Sequence, residues 1–372
     1  MKFSVGYQFF DETGQPFSHS LCRLAEHVEE VYFPWLDSET CRASLINQGG
    51  KINWDGQAFL ENDLGMLRQA GIKLNLLFNA NCHGGKAVSQ YLGNYVRSVI
   101  EHIREVAGGL ECVTTASPFI AKVVKTQFPD IKTRASVNMR IGDVKGMQYL
   151  GDRFDGYYLQ RDFNRNLDSI RKIKSWTDRQ GKTLHLLANS GCLRFCSGQT
   201  FHDNAVAHEK EIQETKNLDD FNPFVCWNYY GKPENWVSLL QNTWIRPEDV
   251  HHYEGLFPAM KLATRMSARP LSILQAYIAG KYRGNLLDLL EPNHSKSLGQ
   301  HYISNAKFPA DWFEKTTGCT GECQSCGYCK EVLAKVLLKA DEIVVEESSG
   351  SIVRHLPHTT SGRVGKGGGC GR

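Results

Sequence analysis

The chain has 372 residues, of which 41% are hydrophobic and 22% charged, and its formal net charge at pH 7 is +3. These values are close to the average for soluble globular proteins, and the length suits a barrel of about 250 residues with additions. The charge is too small, and too evenly spread, to argue for nucleic-acid binding. The uncharged apolar runs are only as long as strands, so no membrane span is expected.

The amino terminus shows no apolar signal core followed by a cleavage site, so we expect a cytoplasmic protein. Twelve cysteines in a reducing compartment are expected to be thiols or metal ligands rather than disulfides.

Short β-rich runs alternate along the chain with stretches of helical period, the pattern of βα units around a parallel sheet. Eight runs are predicted to be strands: Phe3 to Gln8, Val28 to Phe33, Ile72 to Phe78, Leu110 to Thr115, Ile131 to Val137, Phe154 to Leu159, Leu184 to Ala188 and Ala259 to Ala263. Eight strands with intervening helices predict an α/β fold, a (β/α)8 TIM-like barrel.

The predicted barrel spans residues 1–290, with a long insertion at about 190–257 before strand 8. A small cysteine-rich extension at 291–347 is predicted to pack near the barrel mouth, and a glycine-rich flexible tail at 348–372 carries Cys370. Two helices are predicted at Ser267 to Tyr282 and Lys330 to Ala340, and Ser117 with Pro118 is predicted to start a helix after strand 4.

In such a barrel the active site is built at the carboxyl ends of the strands. The residues there are rich in amides and cations and poor in carboxylates: Gln8, Trp35, Asn79, Asn81, Cys82, Ser117, Asn138, Arg161, Asp162, Asn164, Asn189, Lys261 and Arg265. Neither a Ser-His-Asp arrangement nor a His-Glu-x-x-His signature is evident. This composition favours an anionic or planar polar ligand.

Two groups of cysteines stand out. Cys192 and Cys196 follow strand 7 directly, and Cys226 comes later in the insertion; these thiols favour a metal or a cluster, although they could also be small buried hydrophobic residues. The second group, Cys319, Cys323, Cys326 and Cys329, contains the C-x2-C-x2-C core that ferredoxins use for a 4Fe–4S cluster. Tetrahedral zinc is the alternative ligand of this group.

Several segments of the barrel resemble the peptidase U-thirty-two family of collagenase-like barrel proteins. They are Thr115 to Pro118, Arg134 to Asn138, Leu159 to Asn166, the turn from Asn189 to Cys196 with His202, Trp244 to Asp249, and Met260 to Arg265. Together they cover roughly residues 70–290. The resemblance implies a 4Fe–4S cluster in the barrel and activities that include oxygen-independent hydroxylation in quinone synthesis and on RNA bases.

The chain departs from the best-studied branch of that family, which ligates its barrel cluster with four cysteines at longer spacings. Here the barrel offers Cys192, Cys196 and Cys226, and the second cysteine group is an addition. Two clusters are therefore expected, in one of two partitions. Either the second group holds a complete cluster and the barrel cluster keeps an iron open to substrate, water or His202, or Cys319 completes the barrel cluster.

The leading hypothesis is an iron–sulfur enzyme acting by redox or oxygen-independent hydroxylation on a small polar metabolite, a nucleobase or a peptide. All seven cysteines would be ligands, and Arg161, Lys261 and Arg265 would bind an anion. Asn138, Asp162 and Asn164 would position the substrate. An electron-donor protein or a related partner subunit would supply electrons.

Two alternatives come from other functional classes. One is a peptidase or another hydrolase that uses Asp162, Glu248 and His202, although no signature supports that set. The other is a non-catalytic electron-transfer or scaffold subunit of a heterodimer, which would have clusters far from any pocket and an exposed apolar patch.

Overall fold

The computed structural model describes residues 1–35, 54–219 and 221–340. Eight parallel strands pair in chain order, and the eighth pairs with the first to close a barrel. The strands are β1 (Phe3–Gly6), β2 (Val28–Pro34), β3 (Lys73–Phe78), β4 (Cys112–Thr115), β5 (Lys132–Ala135), β6 (Gly156–Tyr158), β7 (Thr183–Leu187) and β8 (Met260–Leu262). The predicted (β/α)8 barrel is confirmed, and each predicted strand overlaps the observed one.

Helices surround the barrel and fill the long connection between β7 and β8. They are α1 (Phe17–Arg23), α2 (Trp54–Gln69), α3 (Gln90–Ala107), α4 (Pro118–Gln127), α5 (Val144–Tyr149), α6 (Leu167–Arg179), α7 (Gln199–Ala207), α8 (Glu209–Gln213), α9 (Val225–Tyr230), α10 (Val237–Gln241), α11 (Pro270–Ala279), α12 (Trp312–Thr317) and α13 (Tyr328–Val336). In the described part of the chain, no helix combines the length and apolarity that a membrane crossing requires.

Helix α3 shows how the sequence sets these elements. The Ser89 hydroxyl accepts a hydrogen bond from the Leu92 amide and caps the first turn, and Gly108 ends the helix at a φ of +75°. Its buried side chains recur at helical spacing and face the barrel: Leu92, Val96, Val99, Ile100, Ile103 and Ala107. The predicted cap at Ser117 is also observed, since its hydroxyl accepts from the Ile120 amide at 3.3 Å.

The carboxyl-terminal region differs from the sequence prediction in one element. The helix predicted at 330–340 begins earlier, at Tyr328, and ends at Val336, and the chain then forms β10 (Leu337–Lys339), which pairs antiparallel with β9 (His301–Ile303). The residues after Val336 pair with the edge of β9, and this strand pairing prevails over helix propensity. Residues 1–340 form one compact unit, whereas 341–347 and the predicted tail, with Cys370, lie outside the described residues.

The barrel interior contains an ion pair that the sequence prediction did not identify. The Arg134 Nη1 atom of β5 lies 2.6 Å from the Glu30 Oε1 atom of β2, and the two side chains are 11% and 5% exposed. The same carboxylate accepts from the Ser4 hydroxyl at 2.7 Å and from the Asn75 amide at 3.0 Å. Three other strands thus supply donors to one buried carboxylate, and this network joins β1, β2, β3 and β5 inside the barrel.

Candidate functional site

The turn after β7 is fixed to its neighbours by the buried side chain of Asn189. Its amide oxygen accepts from the Ala263 N–H at 2.6 Å, and its amide nitrogen donates to the Ala263 and Leu289 carbonyls at 2.9 and 2.7 Å. Two positions further on, the backbone approaches the segment after Leu290 so closely that a Cβ on Gly191 would stand 2.2 Å from the Pro292 carbonyl oxygen. Asn189 therefore has a structural role, and only glycine fits at position 191.

The loop that carries Cys192 and Cys196 is held from two sides. The buried Asp162 carboxylate, at the end of β6, accepts from the Phe195 amide and from the Gln160 side chain. On the other side, Asn242 of the insertion accepts from the Arg194 amide at 3.1 Å and donates to the Gly191 carbonyl at 3.3 Å. Phe195 adopts a φ of +50°. Because non-glycine residues rarely adopt that conformation, these bonds help to maintain it.

Replacing Asp162 by alanine is expected to lower the free energy of unfolding by about 1–3 kcal/mol, because two donors lose their buried acceptor. The cysteine loop should also open, so Cys192 and Cys196 should react faster with iodoacetamide. Chemical denaturation and alkylation mapped by mass spectrometry measure both effects. Asp168→Ala is the matched control, since the Asp168 carboxylate is 86% exposed. Unchanged stability and unchanged alkylation in Asp162→Ala would reject this role.

The three barrel cysteines lie near one another. The pKa of the Cys226 thiol is raised to about 11, first by burial and then by the neighbouring Cys192 and Cys196. A buried imidazole lies beside the same helix: the His294 ring packs against Trp227 at 4.5 Å and Tyr230 at 4.8 Å between ring centroids. His294 is 1% exposed, and neither of its ring nitrogens has a hydrogen-bond partner among the described residues.

The second cysteine group also converges. Burial raises the pKa of the Cys329 thiol to about 11; the Arg165 charge lowers it, and the other three thiols of the group raise it. A small cavity of about 50 Å³ is lined by Cys319, Cys323 and Cys329 and by Arg194, which lies between Cys192 and Cys196 in sequence. The second group therefore lies beside the loop that carries the first.

The donor atoms in both groups suit iron–sulfur chemistry, because thiolates are the usual ligands of such clusters. In the ranges that the structure describes, no three His, Cys, Asp or Glu side chains are close enough together to hold a single metal ion. The ligands of a 4Fe–4S cluster lie farther apart than those of a single metal ion, since each thiolate binds a different iron atom.

Two of the predicted cations meet at the barrel centre. The Lys261 ammonium lies 3.8 Å from the Tyr32 ring centroid and 4.8 Å from that of Tyr158. The Arg265 charge also acts on Tyr32, whose pKa is raised by burial and by Glu291 and lowered by Arg265. Lys261 and Arg265 are 8% and 5% exposed, so both cations are shielded from solvent, and their binding of an anion stays a prediction.

The other predicted site residues have mainly structural contacts. The Asn164 amide is fully buried and donates to the Leu187 carbonyl at 2.7 Å, and the Asn138 amide donates to the Asn79 carbonyl at 3.2 Å. The Arg161 carbonyl accepts from the Thr243 hydroxyl of the insertion. The first two bonds join strand ends to each other, and the third joins a strand end to the insertion; contact of these three residues with a substrate stays a prediction.

A cavity of about 800 Å³ opens at the opposite, amino-terminal ends of the strands. Its charged lining is mostly paired, through Arg68 with Glu111 at 3.1 Å, Arg104 with Asp130 at 3.1 Å, and Lys73 with Glu29. Because barrel enzymes work at the carboxyl ends, and because these charges already satisfy one another, we interpret this cavity as structural.

Three comparisons place the chain among known proteins. No protein-family model matches it. The uncharacterized protease MJ1657 of Methanocaldococcus jannaschii is 24% identical over 324 residues, which cover 85% of this chain and 90% of that protein. The solved structure of the U32 peptidase Mk0906 matches with a TM-score of 0.48 at 13% identity, covering 70% of this chain and 91% of that one.

A glycerophosphodiester phosphodiesterase from Parabacteroides distasonis matches with a TM-score of 0.36 at 11% identity, covering 57% of this chain and 96% of the other. The match to MJ1657 runs along most of both proteins, so the resemblance to the peptidase family predicted above is confirmed.

Proposed function

Taking the chain as a relative of the U32 peptidase family, we propose that it is an iron–sulfur enzyme with two clusters at the barrel mouth. The observation that carries this proposal is the convergence of seven thiols in two neighbouring groups. The first group, Cys192, Cys196 and Cys226, would hold the barrel cluster. The second group, Cys319, Cys323, Cys326 and Cys329, would hold a complete cluster.

His294 is the proposed fourth donor of the barrel cluster. It packs on α9, the helix that carries Cys226, and its ring nitrogens are buried without partners among the described residues. Burial lowers the pKa of His294 to about 4, which keeps the imidazole neutral, the form that ligates metals. The ring of His202, the donor suggested by the sequence, instead packs edge-on against Phe224 at 4.8 Å.

When bound, such clusters supply one-electron transfer and, at an iron without a protein ligand, Lewis acidity. The chain's own residues would bind and orient the substrate. Lys261 and Arg265 would hold an anionic group in the shielded barrel centre, and Asp162 would keep the cysteine loop in place. Redox or oxygen-independent hydroxylation of a small polar metabolite, a nucleobase or a peptide is the chemistry that this arrangement would serve.

Iron and acid-labile sulfide in protein purified without oxygen test the proposal. We expect about eight of each per chain, because each 4Fe–4S cluster carries four. Cys192→Ala and Cys326→Ala should each lose about half of the iron, and Cys22→Ala, outside both groups, should lose none. Zinc without sulfide would reject both clusters, and it would leave the C-terminal group as a zinc site.

Electron paramagnetic resonance of the reduced protein tests the fourth donor separately. His294→Phe should change the spectrum that Cys192→Ala abolishes and leave the spectrum of the second cluster unchanged. If the first spectrum is the same in His294→Phe, His294 is not a ligand, although two clusters would still stand.

A hydrolase is the second candidate, and the name of the related protein MJ1657 favours it. The residues suggested by the sequence do not form a hydrolytic set. Asp162 is bonded to the cysteine loop, and Glu248 accepts from the Tyr282 amide and the Asn305 side chain, both at 2.8 Å. A hydrolytic activity would need other residues.

A further inference from the structure

A cysteine outside both groups lies on the carboxyl-end face of the barrel next to a histidine and a carboxylate. Cys82 follows β3, and its Sγ atom accepts a hydrogen bond from the Gly84 amide at 3.4 Å. The His208 imidazole, between α7 and α8, interacts with the same thiol, and this interaction raises the pKa of His208. The His208 Nδ1 atom lies 2.7 Å from the Glu211 Oε2 atom, which leaves Nε2 for the thiol.

The loop that carries Cys82 is attached to α7, the helix that precedes His208. The Asn81 amide donates to the Asp203 carboxylate at 3.1 Å, and the Arg140 guanidinium lies 3.5 Å from the same carboxylate. A Cβ on Gly84 would lie 3.6 Å from the His208 ring. The contact between thiol and imidazole is therefore supported by neighbouring contacts on both segments.

The two remaining described cysteines outside the groups both have raised pKa values. Burial raises the pKa of the Cys112 thiol to about 11, and both burial and the Asp63 charge raise that of Cys22. Both are thus held as inert thiols. At Cys82, by contrast, a backbone amide and an imidazole face the sulfur, the setting that stabilises a thiolate.

We propose that Cys82 and His208 form an acyl-transfer site, independent of the clusters, with Glu211 as the residue that positions His208. Nucleophile, base and orienting carboxylate are the three parts that such a site needs. The pKa of His208 is raised above its ordinary value, first by the bond to Cys82 and then, against burial, by Glu211. This direction agrees with an imidazolium beside a thiolate.

The surroundings favour a peptide-like substrate. Cys82 is half-buried, and the Glu211 side chain is 69% exposed, so the site lies open at the surface. Val88 and Tyr91, a few residues after Cys82, are 78% and 63% exposed. A site that is open at the surface, on a segment that carries exposed apolar side chains, suits an extended chain better than an enclosed metabolite.

The chemical step balances without an oxidant or a reductant. The Cys82 thiolate attacks the carbonyl carbon, the carbon–nitrogen bond breaks, and His208 gives its proton to the leaving amine. Water then attacks the thioester while His208 takes up one of its protons, and the carbon–sulfur bond breaks to release the Cys82 thiolate. The products are a carboxylic acid and an amine, and the site returns to a Cys82 thiolate beside a protonated His208.

Full-length protein with p-nitrophenyl acetate tests the site. Wild type should release a burst of p-nitrophenolate equal to the protein present, and mass spectrometry should locate the acetyl group on Cys82. Cys82→Ala should abolish the burst, Cys22→Ala should keep it, and His208→Asn should slow acylation on the order of 100-fold. A full burst in Cys82→Ala, or an acetyl group on another cysteine, would overturn the proposal.

The pH profile separates positioning from folding. In Glu211→Gln the midpoint of Cys82 alkylation by iodoacetamide should move to a different pH, whereas a purely structural role would leave it in place.

Fluorescein-labelled casein tests the substrate class: wild type should cleave it and Cys82→Ala should not. A burst without casein cleavage would reject a peptide substrate. Because Cys82→Ala should retain all its iron, failure of this proposal is distinguishable from failure of the iron–sulfur proposal.

Discussion

Replacing Arg134 by methionine is expected to lower the free energy of unfolding by about 3–5 kcal/mol, because a buried carboxylate loses its counter-charge. The Glu30 Oε1 atom is 2.6 Å from the guanidinium and only 5% of its side chain is exposed. Hydrogen bonds from Ser4 and Asn75 remain but carry no charge. Urea denaturation at pH 7 measures the loss.

Arg171→Met is the matched control, because Arg171 pairs with Asp168 at the surface and its side chain is 58% exposed. That change should stay within about 0.5 kcal/mol of wild type. Adding Glu30→Gln to Arg134→Met should recover part of the loss, since no buried charge is then left unpaired. If Arg134→Met lowers the free energy of unfolding no more than Arg171→Met does, water inside the barrel must solvate the Glu30 carboxylate.

The same pair predicts a pH dependence with a defined sign. Burial alone would raise the pKa of Glu30, but the Arg134 charge and hydrogen bond lower it well below its ordinary value of 4.5. A lowered carboxyl pKa stabilises the fold above the unfolded value, and this contribution is lost as the pH falls through the folded value. The stability difference between wild type and Arg134→Met should therefore be largest above pH 4.5 and narrow below it.

Replacing Trp312 by alanine is the second large expected effect, again about 3–5 kcal/mol, because a fully buried indole is removed from a close-packed stack. Trp312 stacks on Trp244 with 5.7 Å between ring centroids. The Arg165 guanidinium lies 4.4 Å from the Trp244 ring centroid and 5.0 Å from that of Trp312. Trp312 also stacks on Tyr328, the first residue of α13.

Loss of this stack should also affect the second cysteine group, because Cys329 follows Tyr328 directly. We expect faster iodoacetamide labelling of Cys329 in Trp312→Ala, mapped by mass spectrometry, together with the lower denaturation midpoint. Trp54→Ala removes the same atoms from a side chain that is 68% exposed, and it should change neither quantity appreciably. Equal effects of the two substitutions would mean that the stack does not hold the cysteine segment.

The two proposals concern different parts of the fold. The clusters would use the loop after β7 and the C-terminal segment. The thiol–imidazole pair uses the loop after β3 and the turn before α8. Since the proposed cluster ligands and the thiol–imidazole pair share no residue, an experiment can reject one proposal without affecting the other.

The sequence by itself determined the barrel and the positions of its eight strands. Alternating apolar runs and helical stretches admit few other arrangements, and the carboxyl ends of parallel strands must lie on one face. Cysteine spacing likewise marked the pair Cys192 and Cys196 and the whole second group, since thiols close in sequence remain close in any fold, whereas Cys226 joins the first pair only through the fold of the insertion. Local rules also placed the cap at Ser117, which depends only on neighbouring residues.

The tertiary structure alone decided which distant side chains meet. Glu30 and Arg134 are separated by 104 residues, and neither lies in a pattern that marks it as buried. Cys82 and His208 are joined by the fold of the insertion, and His294 reaches α9 only because its segment returns to the barrel. The end of α13 was also beyond local rules, because pairing with β9 redirects the chain. Contacts between residues far apart in sequence depend on how the helices and strands pack, and the local periodicity of the sequence does not predict that packing.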